Sequence, residues 1–407
     1  MFEGAKINKV QGGLVRAANV SDRVLLLVCG ATAVDDMPHY SPVELNSLSD
    51  LESLGITAAT DLAAGELTHY HVSEVFRVSP ERTVHLMLVP KASTVTVLVA
   101  DAQFLTALKT IDGVNTIGMA GLAAGVDAST EIKAAQAFVE SLRAEHIYID
   151  VVMLEGMGGY LTTPLTGLVD LRANDSENVA MCFMQDPAQA VKLAGYASHA
   201  AVGTAIGALS VRYVHENIGS VSIEDYPRDY KGQETYPLTD SVAGVWLSAA
   251  LSNGTLMSAI PMSTQKSIGA KGYIFAGSFS GYPGVYLSNS PTCTLKTSAY
   301  AYIEYNAVWN KAAKIIRNVM IPRIRSKVLA DPTTGYIAST TISDWDARIR
   351  AALEPLVSAG DVEDFDIYID PAQAAVSELP FAIKVRLVAF GVVNEFEIDL
   401  GLSLIHI

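Results

Sequence analysis

Five places in the sequence carry residue types and spacings with chemical potential. His69, His71 and Glu74 sit close together. On a helix, residues two apart point about 200° away from each other, so the two histidines cannot share a face. His71 and Glu74 can, but two ligands are too few for a metal site. The expectation is a solvated helix. Gly156-Met157-Gly158-Gly159 follows the apolar stretch Tyr148–Leu154, where a dinucleotide loop would sit. A phosphate cradle needs a helix N-terminus and a third spaced glycine. Tyr160-Leu161-Thr162-Thr163-Pro164 opens no helix, so a flexible turn is expected. Gly277-Ser278-Phe279-Ser280-Gly281 places Phe279 where a nucleophile elbow needs its nucleophile. Asp35, Asp36 and His39 lie in a Pro-containing loop with no partner at defined spacing, and read as surface. No catalytic, cofactor-binding or metal-binding constellation is expected.

The fifth place is a basic run. Lys311, Lys314, Arg317, Arg323, Arg325 and Lys327 are interrupted by no acid. Its bland reading is a solvated helix face. The chain as a whole carries a net charge of -15, which makes so uniform a cluster unusual and argues against general nucleic-acid binding.

The elements that hold these residues follow from periodicity. Val24–Cys29 is a continuous apolar run, the mark of a strand buried on both faces. Glu66–Val78 reads as a helix, Val84–Val89 and Thr94–Val99 as strands, and Phe104–Ile111 as a helix. Asn115–Leu122 reads as a strand, Ser129–His146 as a strong helix and Ile147–Leu154 as another strand. Asn178–Met184 is a strand and Pro187–Leu193 a short helix. His199–Ile218 reads as a long helix whose Ala and Gly residues permit close packing. Residues 223–237 form a polar loop and Thr239–Leu251 a helix. Gly272–Ala276 and Gly284–Ser288 flank the glycine-rich turn. Strand-helix alternation of this kind predicts an α/β sheet with helices on its faces.

The last hundred residues predict a separate α+β unit. In its first helix Tyr305, Val308, Trp309, Ala312, Ile315, Ile316, Val319 and Met320 share one face, with Lys311, Lys314 and Arg317 largely off it. Pro322 should kink or break that helix. A turn at Asp331–Gly335 leads to a helix from about Ser343 to Val357, opened by a Ser343–Asp346 capping pattern and burying Trp345, Ile349, Leu353 and Leu356. Gly360 is its stop. Three alternating segments follow, FDIYIDP, FAIKVRLVAF and NEFEIDLGLSLIHI. In the last, Phe396, Ile398, Leu400, Leu402 and Leu404 form one face of a half-buried strand.

At 407 residues the chain can bury a sizeable core and hold two or three domains. Half its residues are hydrophobic, which suggests apolar surface buried between subunits. Cys29, Cys182 and Cys293 are odd in number and scattered, and read as reduced thiols. Residues 1–20 lack the apolar core of a signal peptide, and Arg23–Gly30 is too short to span a membrane. No membrane insertion is expected.

The C-terminal third resembles the C-terminal domain of contractile tail sheath proteins from phages and phage-derived injection machines. The resemblance rests on Val308-Trp309-Asn310-Lys311-Ala312 and Ile316-Arg317, then Pro322, Asp331-Pro332 and Gly335-Tyr336-Ile337. It continues through Leu353-Glu354-Pro355-Leu356, Ala359-Gly360, Tyr368-Ile369-Asp370-Pro371 and Asp399-Leu400-Gly401. The sequence departs from the family where Ser298-Ala299 and Asn306 stand in place of an acidic residue and an arginine. The resemblance implies an N-terminal arm (1–20), an α/β body (21–295), a tube-proximal domain (296–393) and a C-terminal strand arm (394–407). It implies a subunit that stacks with copies of itself in six-fold rings, wound as a sleeve around a tail tube. Baseplate and terminator proteins would cap that sleeve, and contraction would consume no nucleotide. Assembly would occur in the bacterial cytoplasm, as part of a virion tail or of a particle released from the cell. In that family the C-terminal domain lies against the tube, which makes the basic run a candidate tube contact. Ala5, Ile7 and Lys9, with a Gly12-Gly13 hinge, and the strand Phe396–Leu404 become candidate arms that pair with neighbouring subunits. The alternatives are an α/β enzyme using Gly156–Gly159 for a nucleotide, and another tail or baseplate component sharing the C-terminal fold.

Overall fold

The predicted doubly buried strand is Leu25–Gly30, with every residue buried. In the computed structural model, which describes residues 22–376 and 380–395, it lies inside a seven-stranded sheet. Across that sheet the order is Val43–Leu45, Val84–Val89, Leu25–Gly30, Thr116–Ala120, Val151–Glu155, Val179–Cys182 and Tyr273–Ile274. All neighbours run parallel except Val43–Leu45, which pairs antiparallel with Val84–Val89. From Leu25–Gly30 the chain builds one flank, then crosses to Thr116–Ala120 and works outward on the other. Right-handed crossovers in opposite directions place helices on opposite faces. Thr68–Val78 and Val202–Ser210 pack together on one face, and Ala128–Ala144 lies on the other. The fold is therefore α/β, as the alternation predicts.

The small residues of the Ala/Gly-rich stretch do what their size permits. A Cβ on Gly203 would lie 2.2 Å from the His71 carbonyl oxygen, and one on Gly207 3.1 Å from Val75 Cα. The two helices thus touch backbone to backbone.

Several expected elements differ. Thr94–Val99 is no strand: Thr94 accepts the Val97 N–H and caps a short helix, Val95–Val99. A side-chain cap outweighs β-branched propensity on a segment whose Val97 points to solvent. Thr239–Leu251 is no helix. Asp240 accepts the amides of Val242 and Ala243, closing a turn that ends in an Asp240–Val245 bridge. Such Asx bonding competes with helix formation. Ala250–Leu251 then pairs with Met184–Gln185 as a two-stranded ribbon. The helix expected over His199–Ile218 covers only Val202–Ser210. The helix expected from Glu66 begins at Thr68, and that expected from Ser343 begins at Ser339, with Ala338 at its cap position.

In the C-terminal part Ile303–Met320 is a helix, broken at Pro322 into a single 3₁₀ turn. Ser339–Ser358 packs against it, burying Trp345, Ile349, Leu353 and Leu356 as expected. Gly360 follows with φ +77°. Asp364–Ile369 and Ile383–Val388 form an antiparallel pair in continuous register. Val308, Ala312, Ile349, Leu353, Leu356, Val362 and Phe365 make a second, smaller core. Of the segments proposed as arms, Asn394 and Glu395 are described and bond to Asn289 and Lys266 of the same chain; Ala5, Ile7, Lys9, Gly12, Gly13, Phe396, Ile398, Leu400, Leu402 and Leu404 lie outside the described residues.

Candidate interaction site

The places that suggested chemistry are packed into the body. His71 and Glu74 are buried, not solvated. Glu74 accepts from Arg77 Nε (2.6 Å), Thr204 Oγ1 (2.7 Å) and Trp246 Nε1 (2.8 Å). Burial opposes its ionisation, but these bonds outweigh it and hold its pKa below the ordinary value. The carboxylate ties the helix Thr68–Val78 to the helix Val202–Ser210 and to the 239–249 segment. Burial pushes His71 down to about 3 and His199 to about 4, so both are neutral. Among the described residues no group of three or more His, Cys, Asp or Glu is placed to hold a metal ion.

In open α/β sheets ligands bind beyond the C-terminal strand ends, where the strand order reverses. Here that place lies between Leu25–Gly30 and Thr116–Ala120, and it is closed. A Cβ on Gly30 would fall 2.2 Å from the Gly121 oxygen. Glu155 accepts the amides of Gly121 (2.6 Å) and Ala200 (2.9 Å). Beside it remains a cavity of about 10 Å³, room for one water. The expected flexible turn at Gly156–Gly159 is instead packed. A Cβ on Gly156 would lie 2.6 Å from the Cys182 oxygen, and one on Gly158 2.7 Å from Ser198 Oγ. As expected, no helix opens there, only a 3₁₀ turn at Gly158–Tyr160.

A large concavity lies elsewhere, on the C-terminal part. It is a groove of about 860 Å³ between the helix Ile303–Met320 and the strand Ile383–Val388. Tyr305, Val308, Trp309, Ala312 and Ile316 line it, so most of the helix face read from periodicity faces the groove. Trp309 remains 37% exposed, edged by Tyr148 and Tyr300 and covered on one side by Arg143. The helix turns its other face inward, and that face is largely polar. Asn306 donates to the Glu177 carbonyl (2.8 Å), and Asn310 donates to Asp150 (2.8 Å). Glu304 accepts from Asn217 (2.9 Å) and from the Ser290 hydroxyl. The seam between body and C-terminal part is therefore hydrogen-bonded. Periodicity counts apolar residues and so missed it. The signal was a second stripe at helical spacing, Ile303, Asn306, Ala307 and Asn310.

The basic residues are distributed. Lys311 enters the seam, with Nζ 2.6 Å from Asp22 and 2.7 Å from Asp361. Burial opposes its charge, but the two carboxylates outweigh this and raise its pKa. Asp361 also meets His215 (3.1 Å), whose other ring nitrogen meets Glu224 (2.9 Å). The Asp361 bond, opposed by partial burial and aided by Glu224, raises His215 to about 9. Lys314 and Arg317 line a second hollow, of about 370 Å³, with Lys109 and His146. Arg317 also borders the apolar groove. Arg323, Arg325 and Lys327 lie on the turn after the helix, where Arg325 and Lys327 are exposed.

The fold has close counterparts. The chain is similar to one in the six-fold symmetrised baseplate structure of the anti-feeding prophage. Their TM-score is 0.62 at 14% identity, with 99% of each chain covered. It is similar to a chain of that prophage's helical sheath in the contracted state, with TM-score 0.60 at 12% identity and 98% of each covered. The sheath tail protein of Desulfitobacterium hafniense aligns at TM-score 0.50 and 10% identity, over 95% of this chain and 100% of the other. Identities this low establish likeness of fold, and that fold is the one found in contractile tail sheaths. No curated protein matches the chain. In sequence, the profile of the DUF2586 N-terminal domain matches residues 2–291 and that of the DUF2586 C-terminal domain residues 299–405. Together they span nearly all of the sequence, and the chain belongs to the DUF2586 family.

Proposed function

We propose that this chain is the sheath subunit of a contractile injection particle. It would stack in six-fold rings around a tail tube and drive that tube by contraction. The observation that carries the reading is the end-to-end fold likeness to chains of contracted sheaths. The closed switch point fits a structural role. The apolar groove supports the arm hypothesis: it lies beside a strand that has one partner among the described residues. An extended segment from a second subunit can add to such an edge through main-chain bonds. The segment 394–407 offers Phe396, Ile398, Leu400, Leu402 and Leu404 for the groove, and Glu397 and Asp399 for Arg317 and Arg386 at its rim; Glu395 is already paired with Lys266. We retain the division into arm 1–20, body 21–295, tube-proximal domain 296–393 and arm 394–407. The tube-contact surface is proposed on Lys314, Arg317, Arg323, Arg325 and Lys327; Lys311 is already held by two carboxylates. Tube, baseplate and terminator proteins are the proposed partners. Assembly in the bacterial cytoplasm and release with the particle belong to the same reading. No described helix is long and apolar enough to cross a membrane. The baseplate likeness favours a second reading, a baseplate ring component sharing the sheath fold. Negative-stain microscopy of the protein with its tube partner separates the two: sleeves of many rings support the sheath, single rings the baseplate. A monodisperse 43 kDa species with and without the tube partner would sink both.

A further inference from the structure

The first described residues are fastened with unusual care. Asp22 gives its carbonyl to Asn115 Nδ2 (2.6 Å), and the Val24 amide donates to Asn115 Oδ1 (3.0 Å). Arg23 donates to the Val214 carbonyl and lies 3.8 Å from Asp150. The Asp22 carboxylate reaches across to Lys311 at 2.6 Å. Lys311 in turn meets Asp361, Asp361 meets His215, and His215 meets Glu224. Three carboxylates and two cations thus alternate along one chain of contacts. It starts where the N-terminal segment joins the sheet, runs through the helix Ile303–Met320 and the loop after the second C-terminal helix, and returns to the body at 215–224. Its middle is sheltered: the Asp361 side chain is 3% exposed and His215 12%. Its outer end is open, with Asp22 at 41%.

Opposite charges in a sheltered row fix geometry more than they add stability. We infer that Lys311 is a positioning residue for the root of the N-terminal segment. It clamps Asp22 to the same carboxylate that joins body and C-terminal part, so the backbone at Asp22–Val24 is held in one orientation in every subunit. The inference rests on the sheath reading for its consequence: an arm that must find a neighbour at a fixed distance needs a fixed point of departure. It does not rest on that reading for the clamp itself.

The test compares Asp22→Asn, Lys311→Met and Lys314→Met in the full chain. Asp22→Asn cuts only the exposed limb and leaves Lys311 with Asp361, so folding is preserved even if Lys311→Met is unstable. The readout on the isolated subunit is amide exchange across residues 22–25. Asp22→Asn and Lys311→Met are expected to speed exchange of the Val24 amide about tenfold, and Lys314→Met to leave it unchanged. With tube protein present, Asp22→Asn and Lys311→Met are expected to give short or irregular sleeves. Wild-type exchange at Val24 in both Asp22→Asn and Lys311→Met would overturn the clamp. Faster exchange with normal sleeves would keep the clamp and overturn its role in assembly. If the wild type forms no sleeve, the sheath reading falls and the exchange result still decides the clamp.

Discussion

In the central sheet, Leu25–Gly30 has a neighbour on each edge and helices over both faces. In the C-terminal sheet, Ile383–Val388 has one partner among the described residues and alternates half-buried Ile383, Val385 and Leu387 with exposed Lys384, Arg386 and Val388. The two sheets use similar apolar residues at different periods. A continuous run asks for cover on both sides; an alternating run asks for one covered face. The body covers its central strands on both faces from within. Among the described residues, the C-terminal part leaves an apolar groove and a row of main-chain groups uncovered.

That contrast makes the body sensitive to internal substitutions and the groove tolerant of them. The largest effect is expected at Glu74. Glu74→Ala removes one partner from a buried ionic network and should cost roughly 3–5 kcal/mol in urea unfolding; a loss near zero would break the view that this network closes the body. Next is Gly203→Ala, which puts a Cβ into the His71 backbone and should cost roughly 1–3 kcal/mol. Gly391→Ala, beside the groove with nothing within 4 Å of its added Cβ, should leave the unfolding midpoint where it was. Equal losses from the two glycine variants would erase the distinction.

The smallest but most discriminating effect is in pH. His71 and His199 have folded pKa values of about 3 and 4 against 6.5, so the unfolded state takes up protons first. They destabilise the body progressively as pH falls from 6.5 through those values. His215, raised to about 9, behaves oppositely: its contribution is complete below 6.5 and disappears as pH rises through 9. Acid therefore attacks the body and mild alkali the seam. Buried Asp150, Glu155 and Glu304 have raised pKa values and act against the acid loss, so the measurement is a difference. The stability gap between wild type and His71→Gln should narrow as pH is lowered from 7 to 4. The gap between wild type and His215→Asn should narrow from 7 to 10. Parallel curves in either case would remove the assignment.

What the sequence showed depended on whether one residue type dominated an element. Leu25–Gly30, Val84–Val89 and Ala128–Ala144 are set by apolar pattern, and their reading needed no tertiary knowledge. The 239–249 segment looked helical because its composition is helical; Asp240 bonding to its own backbone is a local choice that composition hides. The apolar face of Ile303–Met320 was found correctly but points largely into a groove, because Asn306, Asn310 and Glu304 bury the opposite face through specific partners far along the chain. Glu74 was legible as a residue with potential and illegible as the centre of a network, since Thr204 and Trp246 lie far away in sequence. Lys311 looked like part of a charged surface until Asp22 and Asp361 were seen beside it.

The exposed pair Lys384 and Arg386 bears on how such a protein can be stored. An open strand edge invites pairing with any extended chain, including an identical one, and at high cellular concentration that means precipitation. Antiparallel self-pairing of Ile383–Val388 centred on Val385 would set Lys384 opposite Arg386, and like charges facing each other across a ladder are destabilising. An incoming strand with Glu or Asp at the same positions meets no such penalty. Two cations on one strand therefore disfavour pairing between identical copies in this register, a penalty that an acidic segment does not meet.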